Sequence, residues 1–115
     1  MEETIIIATP VGYRVYRPAD IGYFVYSTRH RAWQAVMFGD RTLRLRRQTS
    51  ADDILAVSSS FVRINQSTII NIHYLVLIEE HYIRLCPPFD CPDDEVDLLI
   101  SRNLRKPLKE KLRIL

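Results

Sequence analysis

The stretch Phe61-Val62-Arg63-Ile64-Asn65-Gln66-Ser67-Thr68-Ile69-Ile70-Asn71 places a short polar segment between two apolar runs. Both runs are rich in β-branched and aromatic residues, which suit a pleated, half-buried surface. Asn65, Gln66 and Ser67 form a polar turn, the kind in which side chains bond their own backbone. The expectation is a strand, a tight turn and an antiparallel return strand. Asn71, set between apolar residues, is read as structural, its amide satisfying backbone groups of a neighbouring turn.

Working outward, Tyr74 to Glu79 and Tyr82 to Leu85 repeat the same composition and predict further antiparallel strands. Pro87 to Asp94 carries three prolines and three acids and predicts an exposed loop. Val96, Leu98 and Ile100 alternate, giving a last strand from Glu95 to Ile100. Leu104, Leu108 and Leu112 then recur among basic residues, predicting an amphipathic helix. Pro107 fits best in its first turn, which places the start near Lys106.

Upstream of the central stretch, Ser50 followed by Asp53 forms a capping box with Asp in place of Glu and opens a short helix bearing Ile54, Leu55 and Val57. Trp33 to Phe38 and Arg41 to Arg47 are arms of a hairpin joined by Gly39-Asp40. Arg44, Arg46 and Arg47 are read as its solvated face. Ile21 to Ser27 has large side chains on both faces, so a strand covered on two sides is expected. Thr4 to Ala8 and Tyr13 to Tyr16 predict two short strands interrupted by Pro10 and Gly12.

The bulk numbers narrow the classes. A chain of 115 residues, 47% hydrophobic and 26% charged, has the balance of one folded domain, spanning residues 1–115. No apolar run reaches the ~20 residues of a bilayer span, and Met1-Glu2-Glu3 lacks a basic secretory start, so a cytoplasmic protein without membrane contact is expected. Cys86 and Cys91 are then reduced thiols, and with no nearby pair completing four ligands no metal is expected. His73 and His81 have no ligand partner at useful spacing. The three glycines form no phosphate loop, so no cofactor is expected, and no activated nucleophile suggests an enzyme. The net charge of +2 is small, but it is segregated. Acids gather between Asp90 and Asp97, and bases in Arg41 to Arg47 and Arg102 to Arg113, which gives a locally positive face.

The central stretch resembles the signature of LytTR DNA-binding domains of bacterial response regulators, in which an aromatic, an arginine, a polar pair, a serine, an apolar pair and an asparagine recur at these offsets. Ile100-Ser101-Arg102-Asn103-Leu104 is similar to that family's second signature, a Ser-Arg before the terminal helix. The order of elements agrees along nearly the whole chain. The resemblance implies a mostly β fold: an elongated arrangement of small antiparallel sheets with one short mid-chain helix and a C-terminal basic helix. It implies sequence-specific binding of double-stranded DNA through loops that enter successive major grooves, at direct or inverted repeat half-sites that a second copy can share. Base contacts then fall on His30 or Arg31, on Asn65 or Gln66, and on Arg102.

Chemistry supports the same residue types. Arginine presents a fork that fits guanine, and Asn or Gln can pair bidentately with adenine. Phosphate needs charge or a simple donor, which makes Arg63, Ser67, Arg105, Lys106 and Lys109 candidates for positioning contacts. In isolation, His30 and the Asn65–Ser67 turn are ordinary surface features. The family pattern is departed from at Gln66, where many members carry a basic residue, so the base read there is open. Members commonly follow a receiver domain, which Met1 to Pro18 does not supply. The chain is then part of a longer regulator, a regulator without a receiver, or a domain with another receiver or sensor partner. A protein-interaction module on the same frame is the alternative.

Overall fold

The computed structural model describes residues 4–39, 41–89 and 98–113. In chain order its elements are β1 (Ile5–Thr9), β2 (Gly12–Tyr16), β3 (Ile21–Ser27), β4 (Ala32–Met37), β5 (Arg41–Arg44), α1 (Ala51–Val57), β6 (Phe61–Asn65), β7 (Thr68–Asn71), β8 (Leu75–Ile78), β9 (Tyr82–Leu85), β10 (Leu98–Leu99) and α2 (Arg102–Glu110). They form a two-stranded sheet β1-β2, a five-stranded sheet β5-β4-β3-β7-β6 and a three-stranded sheet β10-β9-β8. Every pairing is antiparallel. The fold is therefore mostly β, in small antiparallel sheets, as the family resemblance implies.

Successive residues of a strand point to opposite faces, and the five-stranded sheet is apolar on both. On one face Phe24, Phe61 and Ile69 pack with Ile5 and Ile7 of β1 and Ile54 of α1. On the other, Tyr23, Ile64 and Ile70 pack with Ile83 and Leu85 of β9 and Leu108 of α2. Each fully buried large aliphatic contributes about 1.5–3 kcal/mol, so these two cores hold the central sheet rigid. The doubly covered strand expected over residues 21–27 is β3, with Tyr23 and Phe24 both buried.

Local chemistry sets the ends of the elements. Ser50 Oγ accepts from the Asp53 amide at 3.1 Å, and the Ser50 amide donates to Asp53 Oδ2 at 2.9 Å, so the capping box forms. Asn71 is fully buried. Its Nδ2 donates to the Pro18 and Ile21 carbonyls, both at 3.0 Å, and its Oδ1 accepts from the His73 amide at 3.0 Å. This asparagine ties β7 to the start of β3 and turns the chain out of the sheet. The strands after it are thus not one continuous run, because a 3-10 turn at Ile72–Tyr74 carries the chain into the second sheet.

Three expectations are corrected. α2 begins at Arg102, not near Lys106, and holds Pro107 inside it. An interior proline costs about 3 kcal/mol through the lost bond and the clash with the carbonyl four residues back. Here that carbonyl belongs to exposed Asn103, where water can serve it, and the early start sets half-buried Leu104 and fully buried Leu108 one turn apart toward the core. In the described part of the loop from Pro87, Pro87 and Pro88 are exposed as expected but the next residue is not. Phe89 is buried, its ring 4.9 Å from Phe38 and 5.4 Å from Tyr74. A β-carbon on Gly22 would lie 2.4 Å from that ring, which explains a glycine in a buried strand. The hairpin arm from Arg41 is strand only to Arg44 and then turns with Leu45 buried. Cys86 carries a free thiol, and Cys91, with the acids from Asp90 to Asp97, lies outside the described residues.

Candidate nucleic-acid interface

Backbone bonds bring three loops to one end of the five-stranded sheet. The Tyr26 amide donates to the Ser67 carbonyl at 2.8 Å, fixing the β6–β7 turn beside the end of β3. Thr28 to Arg31 close the β3–β4 hairpin there, and the Tyr26 and Trp33 rings meet edge to face beneath the loop at 5.6 Å. The Ser101 amide donates to the Ile64 carbonyl at 2.7 Å, which holds the start of α2 against the end of β6. His30 or Arg31, Asn65 or Gln66, and Arg102 therefore lie on elements that share one end of the sheet.

In the first loop the His30 amide donates to Ser27 Oγ at 3.3 Å, and exposed Arg31 adopts a left-handed backbone with φ 54°. For a residue with a β-carbon that conformation costs roughly 1–2 kcal/mol, so the backbone alone would favour glycine at this position. Partial burial, followed by the positive charges of Arg44, Arg29 and Arg47, lowers the pKa of His30 below 6.5. Both causes favour the neutral imidazole over the charged one.

The central turn separates support from display. Asn65 Nδ2 donates to the Leu99 carbonyl at 2.6 Å, and its Oδ1 accepts from the Ser67 amide at 2.7 Å. Arg63 Nε donates to the Asn65 carbonyl at 3.1 Å and its Nη2 to the Gln66 carbonyl at 2.7 Å, with the guanidinium 6.0 Å from the centre of the Trp33 ring. Asn65 and Arg63 thus clamp the turn, while Gln66 and Ser67 stand exposed. Of the adjacent pair Asn65 and Gln66, only Gln66 has a side chain without a bond inside the chain among the described residues.

Arg102 is the first residue of α2, exposed and without a hydrogen bond or ion pair among the described residues. Ser101 precedes it as N-cap, with no side-chain capping bond. Lys106 and Lys109 are exposed on the same helix. Arg105 is half-buried, its Nε shielded from solvent and without an acceptor among the described residues, so only its terminal nitrogens are open to a phosphate.

Between the β6–β7 turn and the two helix starts lies a cleft of about 760 Å³ lined by Arg63, Gln66, Ser67, Ser101 and Asn103, with Thr49 and Ser50 on its other wall. Sequence reading missed Thr49 and Ser50 as part of this surface. They come from the start of α1, and only the packing of Ile54 under the sheet brings them there. It also read Arg47 only as part of a solvated hairpin face. Instead Arg47 Nε donates to the His30 carbonyl at 3.2 Å. The signal was available: in the hairpin Gln34 faces Arg44, so Arg47 falls level with Arg31. Among the described residues no helix is long and apolar enough to cross a membrane, and no three His, Cys, Asp or Glu side chains gather as a metal site.

The fold is shared with a solved chain named as the LytTr DNA-binding domain of a methyl-accepting/DNA response regulator from Bacillus cereus. The two superpose with a TM-score of 0.68 over 99% of this chain and 100% of that one, at 13% sequence identity. No family model matches the sequence, and no curated protein sequence matches it. The likeness therefore lies in the fold of the backbone, not in overall sequence.

Proposed function

We propose that this domain binds double-stranded DNA sequence-specifically, as the DNA-reading part of a cytoplasmic bacterial transcription regulator. The observation that carries this reading is the convergence of three loops on one end of the central sheet, each presenting a side chain not bonded to any other among the described residues. Arg31, Gln66 and Arg102 are those side chains. Arginine recognises guanine and glutamine recognises adenine through bidentate bonds in the major groove. The first and third loops lie on either side of the central turn, so their arginines enter successive major grooves, and His30 completes the first contact.

Phosphate contacts come from Ser67, Lys106, Lys109 and the terminal nitrogens of Arg105, on the polar cleft and the exposed side of α2. Arg63 acts mainly by holding the central turn, because its Nε and Nη2 are committed to that turn's carbonyls. Asn65 likewise supports Gln66 and does not read a base. Two copies occupy repeated half-sites on one duplex, and a receiver or sensor partner supplies the input. The fold resemblance supports this assignment of the surface, and the cationic loops supply its chemistry.

The experiment is a selection from a pool of random duplexes on the immobilised domain. Enrichment of a shared motif, with two half-sites, is the expected outcome. Retention of the pool without enrichment would mean backbone binding alone. Absence of retention at low salt would instead favour a protein-interaction module on the same frame.

A further inference from the structure

We propose that Arg29, Arg44 and Arg47 form a second phosphate-binding patch beside the Thr28–Arg31 loop, extending the duplex contact along the β5 side of the sheet. This rests on the reading of the domain as a duplex binder and adds residues that none of the three loops' base-reading contacts requires.

The hairpin register brings the patch together. Gln34 faces Arg44, and the Leu45 amide donates to the Trp33 carbonyl at 2.9 Å, so the chain after β5 runs back toward the loop at Thr28 to Arg31. Arg47 Nε then reaches the His30 carbonyl, which fixes that guanidinium against the loop and leaves its terminal nitrogens free of bonds among the described residues. Arg29 and Arg44 are exposed, with no hydrogen bond or ion pair among the described residues. Arg46 differs from its neighbours. It turns inward, donating through Nε to the Thr9 carbonyl at 3.1 Å and lying 4.8 Å from the centre of the Tyr13 ring. Arg46 therefore braces the arm, and a hollow of about 380 Å³ opens beside Arg44 and Arg47.

Charge argues for an anion at this patch. From Ile21 to Ala51 the sequence carries six arginines and one acid, Asp40. A merely solvated strand face normally mixes signs, because like charges held together repel. His30, lowered in pKa first by partial burial and then by Arg44, Arg29 and Arg47, lies within reach of all three charges. Guanidinium groups offer paired donors that match phosphate oxygens. A row of them with free terminal nitrogens suits the regularly spaced phosphates of a duplex strand.

The test measures binding of a mixed-sequence duplex by fluorescence anisotropy across a salt series, for the wild-type domain and two double variants. R29Q/R44Q removes two charges from the patch and leaves the Arg47 brace intact. R41Q/R84Q removes the same charge from two exposed sites at the hairpin tip and in β9. Each phosphate contact contributes about 0.9 to the log-log salt slope, so R29Q/R44Q should flatten it by about 1.8 while R41Q/R84Q leaves it near the wild-type value. Thermal melting of the variants checks that both remain folded, which is expected because none of the four side chains makes a hydrogen bond or ion pair among the described residues. An unchanged slope in R29Q/R44Q, with normal wild-type binding, overturns the patch alone. So does an equal flattening in R41Q/R84Q, which would mark a diffuse charge effect. A wild-type domain that binds no duplex overturns the underlying reading, and the patch with it.

Discussion

Asn65 and Gln66 are adjacent polar residues in one turn, and their replacement should have opposite consequences. Asn65→Ala removes the 2.6 Å bond to the Leu99 carbonyl and the 2.7 Å bond from the Ser67 amide. A typical hydrogen bond contributes about 0.5–1.5 kcal/mol net. Both bonds lie where water can replace the lost partner, so the sum falls toward about 1–2 kcal/mol rather than the larger cost of a buried orphan. The Arg63 bonds to the Asn65 and Gln66 carbonyls do not involve the Asn65 side chain, so the turn survives and the domain folds. With a urea m-value of about 1–3 kcal/mol/M for a small domain, the midpoint should fall by roughly 0.5–1 M. Gln66→Ala removes an exposed side chain and should leave stability within about 0.5 kcal/mol. On the selected duplex, however, it should cost about 1–3 kcal/mol and relax preference at one base pair. Urea unfolding and duplex titration of both variants, with Asn65→Ala titrated at a temperature where it is fully folded, separate the roles. If Asn65→Ala keeps full stability yet loses base preference while Gln66→Ala is silent, the division into support and display is wrong.

Four further outcomes follow from the same geometry. Arg102→Ala should weaken the selected site by about 1–3 kcal/mol and blur one base position; equal losses on selected and random duplexes would mark a phosphate contact instead. Arg31→Gly relieves a left-handed residue and should raise the unfolding midpoint, with a gain of up to about 1 kcal/mol, while duplex affinity falls; lower stability would show that the loop depends on the arginine side chain. His30 has a lowered pKa in the free protein, and nearby phosphates would raise it. Binding should therefore take up a proton and strengthen as pH falls from 7 toward 5.5, whereas His30→Gln should flatten that trend. In the free domain the same shift makes the folded state bind fewer protons than the unfolded chain, so His30 favours folding above pH 6.5 and that contribution fades as pH falls through its folded-state pKa. Gly22→Ala forces a carbon against the Phe89 ring and should cost about 1–3 kcal/mol. Phe89→Leu in the same chain should recover part of that loss, and simple additivity of the two changes would refute the clash.

The turn at Asn65 to Ser67, the capping box at Ser50 and Asp53, the doubly covered β3 and the buried Asn71 were all legible in sequence, because each depends on local periodicity or on a short-range bond. What escaped depended on contacts distant in the chain. Pro107 inside α2 is tolerated through burial of Leu108 under β6 and β9, which no helix rule within residues 102–113 contains. Phe89 looked like part of an exposed loop because its pocket is built by Gly22, Phe38 and Tyr74. At the candidate interface the residue types were legible, but not their division of labour. Asn65 is set apart from Gln66 in part by its bond to a carbonyl 34 residues away, which no local rule contains. Alternation alone reads Arg47 as solvated, although the hairpin register carries it level with Arg31.

The most direct test of the loop surface is a map of backbone amide shifts on titrating the domain with the selected duplex. The largest changes should cluster at residues 28–31, 65–67 and 101–106, with smaller ones at 44–47, leaving β1, β2 and β8 near their free positions. Changes centred on β1 and β2, or on β8 and β9, with the three loops unmoved, would contradict the account.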